Sequence, residues 1–167
     1  MTFEEVNALT AEAFAAKFGH LFEHSPWVIE AAAIRRPFAD KSAMLDAFAA
    51  VLDEAGTDRQ LALLRAHPEL AGKAAIDGSL TKESTAEQAS AGLDRLTAGE
   101  FALFHERNSA YARKFGFPFI ICVRLTNKAG ILEAMRTRLG ATREAEFKKA
   151  LGEVMKIVDL RLEEALR

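Results

Sequence analysis

His67 stands directly before Pro68, and beyond a Gly- and Asp-rich connection Glu87 and Gln88 stand side by side. An imidazole takes up and returns a proton near neutral pH, and a carboxylate beside it tunes that exchange. A primary amide both donates and accepts hydrogen bonds. These are groups that move protons and hold a polar ligand. Nearly everything else in the 167 residues follows amphipathic helical spacing, so the stretch from Ala66 to Gln88 is where the chain departs from scaffold.

Each residue also has a plainer reading. A histidine at a helix end is by default a surface or capping residue. Its place between an apolar helix and Pro68 is what marks His67 out. Ser84 and Glu87 have the Ser-x-x-Glu spacing of a capping box, which alone predicts reciprocal capping of a helix start. That start would still offer unpaired N–H groups and a partial positive charge to an anionic or carbonyl-rich ligand. In the last helix Phe147, Leu151, Val154 and Val158 mark an apolar stripe whose next step lands on Arg161. An arginine there either snorkels to solvent or faces a carboxylate, that of Glu87 or of a ligand.

Three features are read as packing. His20-Leu21-Phe22-Glu23-His24 matches a His-x-x-Glu-His zinc-peptidase pattern. Ser25-Pro26 ends the helix at once, however, and no third ligand helix follows. Cys122 lies in an apolar segment with no cation or histidine adjacent in sequence, and buried thiols are normally inert. His105 and Tyr111, on an amphipathic helix, ask for nothing beyond packing or solvent.

The elements that must position these groups are legible from caps and breakers. Thr10 caps a helix carrying Phe14, Phe18, Leu21 and Phe22. Ser25-Pro26 opens another that Pro37 stops, and Asp40 caps a third that ends at Gly56. A short helix with Leu61 and Leu64 leads to His67, which Pro68 pushes out of the helical region. Residues 71–80 read as a loop, with a helix resuming around Thr81 to Ser84. Thr97 and Glu100 form a capping box for a long helix ending at Gly116. Phe117-Pro118-Phe119-Ile120-Ile121-Cys122-Val123 is short, apolar and β-branched, and reads as a buried extended segment. Asn127 and Thr142 open the last two helices. The expectation is an all-α single domain over 1–167, a bundle of about eight to nine helices with one buried extended piece.

Composition narrows the function classes. The chain is 50% hydrophobic and 28% charged, an ordinary globular profile long enough to bury a core. A net charge of −2 and a pI near 6.1 give no basic face for nucleic acid. One cysteine excludes a disulfide framework and a thiolate metal cluster. No secretory signal layout, peroxisomal tail or membrane-length apolar run is evident, so the expected location is the cytoplasm.

Together these pieces resemble a known family. His67-Pro68-Glu69-Leu70, Ser84-Thr85-Ala86-Glu87-Gln88 with Ala91-Gly92-Leu93, and Phe117 to Arg124 look like the signature segments of 2-oxo-4-hydroxy-4-carboxy-5-ureidoimidazoline (OHCU) decarboxylases. Glu23-His24-Ser25-Pro26-Trp27-Val28 and Lys156 to Leu162 look like that family too, which reads the zinc pattern as a structural motif. The resemblance implies an all-helical, usually dimeric enzyme without cofactor or metal. It would form (S)-allantoin and CO2 after uricase and 5-hydroxyisourate hydrolase have acted. Carried over by motif, His67 would be the catalytic acid/base and Glu87 its carboxylate partner. Pro68, Ser84, Thr85, Ala86 and Gln88 would line the substrate. Backbone groups of Phe119, Ile120, Ile121, Cys122 and Val123 would hold its ureido and ring atoms, and Arg161 would engage the ligand or order Glu87.

Two other classes compete. One is a non-enzymatic helical ligand-binding module in which His67, Glu87 and Arg161 are structural. The other is a decarboxylase or lyase on a related ureido compound, with a zinc hydrolase a distant third.

Overall fold

The computed structural model describes all of residues 1–167 and has no strand; its regular elements are ten α-helices and two 3-10 turns. The chain divides into two compact units, Met1–Ala66 with Val154–Arg167, and His67–Glu153.

The first unit holds α1 (Phe3–Ala8), α2 (Ala11–Phe18), α3 (Trp27–Ala33), α4 (Lys41–Ala55) and α5 (Thr57–Arg65). It also takes the C-terminal part of α10 (Arg143–Leu166). The starts follow local chemistry: the Thr10 and Asp40 side chains accept from Ala13 and Ala43 N–H. A capping box at Thr2 and Glu5 opens α1, a helix that sequence pattern alone does not place. The helix after Pro26 ends at Ala33, short of Arg36, and Ser25 lends it no side-chain cap. Phe14, Phe18, Phe22, Phe48 and Met44 fill the core, with Val154, Val158 and Leu162 from α10 fully buried. Phe22 meets Phe48 edge-on at 5.8 Å, a favourable quadrupole arrangement.

The second unit holds α6 (Lys73–Asp77), α7 (Lys82–Ser90), α8 (Ala98–Phe115), α9 (Lys128–Arg138) and the start of α10. The Thr97–Glu100 box and the left-handed Gly116 bound α8 as their types require. Asn127 and Thr142 accept from Gly130 and Ala145 N–H. Two details differ from expectation. Residues 73–77 form a helix in place of the expected loop, set between Gly72 and Gly78. The cap of α7 is Thr81, whose side chain accepts from Ser84 N–H, so Ser84 lies inside the first turn and is not the cap.

The apolar run after Gly116 is buried as expected: Phe117, Phe119, Ile120, Cys122 and Val123 are all under 5% exposed. It forms no strand and closes in a 3-10 turn at Val123–Leu125. Tyr111 is the hub around it, edge-on to Phe119 at 5.3 Å and against Phe115 at 4.5 Å.

Candidate active site

His67 leaves the end of α5 into a turn that is held unusually firmly. His67 and Pro68 are half-buried. Ala71 adopts φ 52°, a left-handed conformation that costs a residue with a Cβ roughly 1–2 kcal/mol. A side chain at Gly72 would approach Glu69 Cβ to 2.8 Å, so the turn closes only with glycine there. Side chains of two helices hold it. Gln88 Oε1 of α7 accepts from Ala71 N–H at 3.0 Å, and its Nε2 donates to Glu69 O at 3.5 Å. Asn108 Nδ2 of α8 donates to Leu70 O at 2.8 Å. Gln88, expected against substrate, thus spends both ends of its amide on the turn that follows His67. Asn108 has no sequence signal of its own. It sits on the buried side of α8, and only the fold reveals which carbonyl it reaches.

Within α7, Ser84 and Gln88 are buried, while Glu87 is half-buried and Thr85 and Ala86 are exposed. Thr85 Oγ1 donates back to Thr81 O at 2.8 Å. The helix packs on the Val123–Leu125 turn, and its Glu87 lies near enough to Cys122 for their charges to interact. Burial, then the carboxylates of Glu153 and Glu87, push the Cys122 thiol above its ordinary pKa. Cys122 is therefore a neutral thiol and no nucleophile. A cavity of about 310 Å³ opens along α7, lined by Ala71, Ile76, Leu80, Gln88 and Phe101 among others, and takes in neither His67 nor Glu87.

The 119–123 segment is fixed by charged side chains. Arg138 Nη1 donates to Ile120 O at 2.8 Å, and Cys122 N–H donates to Glu153 Oε1 at 3.4 Å. Cys122 O accepts from Leu125 N–H in the closing turn. Of the five residues only Ile121 is half-exposed, and its peptide N–H and C=O enter none of the chain's hydrogen bonds. A donor and an acceptor side by side can pair with an amide or ureido edge.

Arg161 belongs to the first unit. Its side chain is 4% exposed, so it does not snorkel. Nη2 donates to Glu23 Oε2 at 2.8 Å and Nη1 to His20 O at 3.2 Å. The anomaly on the apolar stripe is thus matched by a buried carboxylate, that of Glu23 from the His-x-x-Glu-His stretch. Deeper in α10 the fully buried row runs through Ala150, Val154 and Val158, while Phe147 and Leu151 are half-buried.

Similarity to known proteins decides the family. The sequence profile of the OHCU decarboxylases matches residues 7–163, across both units. The chain belongs to the OHCU decarboxylase family. It is 40% identical over 164 residues to the 2-oxo-4-hydroxy-4-carboxy-5-ureidoimidazoline decarboxylase of Haloferax volcanii, covering 98% of this chain and 95% of that one. To the protein of the same name from Amia calva it is 38% identical, covering 100% and 95%. The crystal structure of an (S)-allantoin synthase superposes with a TM-score of 0.79 at 30% identity, covering 99% of this chain and 54% of the other. The all-helical fold and the family resemblance read from the sequence both hold.

Proposed function

We propose that this chain decarboxylates 2-oxo-4-hydroxy-4-carboxy-5-ureidoimidazoline to (S)-allantoin and CO2. The observation that carries the reading is the near full-length family match, within which the His67-Pro68, 84–88 and 117–124 segments all fall in one unit. The same reading makes the protein a cytoplasmic homodimer acting after uricase and 5-hydroxyisourate hydrolase.

The substrate carries its own electron sink. The carbon that loses CO2 also bears a hydroxyl and adjoins a C=N bond. Electrons from the breaking C–C bond flow into that C=N, whose nitrogen takes up a proton from solvent, leaving an ene-amine that bears the hydroxyl. The protein then has three tasks: to hold the carboxylate out of the ring plane, to accept the hydroxyl proton, and to return one proton to a single ring face. In this proposal His67 exchanges the protons and Glu87 sets its basicity. Ser84 and the backbone from Phe119 to Val123 seat the ring and ureido group, and Pro68 bounds the seat. Because that seat is fixed, one face of the intermediate is protonated, which gives a single hand of product.

Two supports are independent of the family match. The turn after His67 is pinned by hydrogen bonds from the Gln88 and Asn108 side chains despite a strained Ala71, the kind of local cost seen where geometry serves chemistry. The Ile121 peptide, half-exposed and unbonded, offers the donor–acceptor pair a ureido group needs. His67→Ala and Glu87→Ala are expected to lose turnover with an unchanged helical circular dichroism spectrum. Unchanged kcat in either folded variant rejects its assigned role.

A further inference from the structure

Arg138 is the most deeply buried arginine of its unit, and its surroundings are built around one carbonyl. Its side chain is 9% exposed at the end of α9. Nε donates to Glu146 Oε1 at 2.8 Å and Nη1 to Ile120 O at 2.8 Å. The guanidinium lies over the Phe119 ring, 4.3 Å from its centroid. Tyr111 OH donates to the same Glu146 oxygen at 2.6 Å. Nη2 is buried with no hydrogen-bond partner, so the group is not simply maximising its bonds.

A guanidinium is a rigid planar fork. Two bonds from Nε and Nη1 fix its plane, and with it the direction of the Ile120 carbonyl and the face of Phe119. Two residues on, Cys122 N–H is drawn to Glu153. With the Ile120 C=O and the Cys122 N–H each taken up by a charged side chain, the Ile121 N–H and C=O between them are left without a partner in the chain. Ile121 is also the one residue of the segment that is half-exposed.

We infer that Arg138, anchored by Glu146 and Tyr111, is a positioning residue that sets the Ile121 peptide as the donor–acceptor pair reading the ureido group. This rests on the function proposed above. It adds three residues that touch no substrate yet control how tightly a ureide is held. Glu146 balances the buried charge and orients the fork, and the Tyr111 hydroxyl occupies a second lone pair of the same carboxylate oxygen.

The test uses the full chain, labelled with 15N at isoleucine, and two variants. Arg138→Lys keeps the charge but lacks the fork. Arg138→Met with Glu146→Leu removes the pair together, a change that often leaves stability intact. (S)-Allantoin is titrated into each while the Ile121 amide is followed by NMR, and KM and kcat are measured in parallel. In the parent, Ile121 is expected to shift with allantoin. In both variants, at near-parental thermal stability, the allantoin affinity falls and KM rises roughly tenfold, with kcat much less affected, the pattern of lost uniform binding. Should the double variant not fold, Arg138→Lys carries the same expectation. An Ile121 amide that ignores allantoin in the parent, or variants that bind it as the parent does, overturns the inference. A parent that binds allantoin through Ile121 but turns over no substrate rejects the proposed reaction and leaves the positioning result standing.

Discussion

Replacing Gln88 with leucine measures what its hold on the turn after His67 is worth. In the structure Gln88 is 6% exposed and its amide is spent on the turn after His67. Leucine fills similar space but leaves the Ala71 N–H buried and unpaired, which costs about 1–3 kcal/mol. The bond to Glu69 O is long at 3.5 Å and adds little. The turn also carries the left-handed Ala71, roughly 1–2 kcal/mol of strain that the Gln88 bond helps hold in place. Gln88→Leu should therefore destabilise the fold by about 2 kcal/mol and loosen the turn. Ala71→Gly removes the strain but adds roughly 0.5–1 kcal/mol of unfolded-state entropy. In the Gln88→Leu background it should restore up to about 1 kcal/mol. Urea unfolding of the parent, both single variants and the double gives the full cycle. The reasoning fails if Gln88→Leu is as stable as the parent, or if Ala71→Gly destabilises both backgrounds alike.

Two further outcomes follow from buried charge and from burial of the chain's one tyrosine. Removing one partner of the buried Arg161–Glu23 pair, as Arg161→Met or Glu23→Gln, should cost about 3–5 kcal/mol, while Arg161→Met with Glu23→Leu should lie much closer to the parent in thermal unfolding. Equal losses in the single and double variants would show that the pair itself is not what its burial demands. Burial first, and then the hydrogen bond to Glu146, push the Tyr111 hydroxyl well above its ordinary pKa of 10.0. The native state keeps that proton where the unfolded chain has lost it, so its stability contribution is intact below pH 10 and declines as pH rises further, by up to about 1.4 kcal/mol per unit. Because Tyr111 is the only tyrosine, tyrosinate absorbance should appear only as the protein unfolds, and Tyr111→Phe should flatten the alkaline loss. A normal phenol titration in the folded state would contradict this.

What could be read from sequence was local. The caps at Thr10, Asp40, Thr97, Asn127 and Thr142 each depend on residues within three positions, and each stands where its type and spacing put it. The buried 117–123 run was legible because an apolar β-branched stretch between glycine, proline and a polar restart has few other places to go. The miss at α6 has the same logic reversed. Five residues between two glycines show no periodicity, and Gly72 and Gly78 look like loop before they look like helix ends. Ser84 is not the cap because Ser-x-x-Glu recurs by chance, whereas Thr81, three residues earlier, has the extended backbone a cap needs. Arg161 was legible as an anomaly, but its partner lies 138 residues away. The bonds of Asn108 to Leu70 and of Tyr111 to Glu146 span 38 and 35 residues and are hidden from sequence for the same reason. Tyr111 in particular reads as ordinary packing, and its hydroxyl in fact reaches a buried carboxylate.

Formation of (S)-allantoin can be followed directly. Urate is converted in place by uricase and 5-hydroxyisourate hydrolase, this protein is added, and circular dichroism follows the formation of optically active allantoin. The account predicts a fast signal that scales with protein concentration and has the sign of (S)-allantoin. Slow, racemic allantoin at the rate of the protein-free control would contradict it.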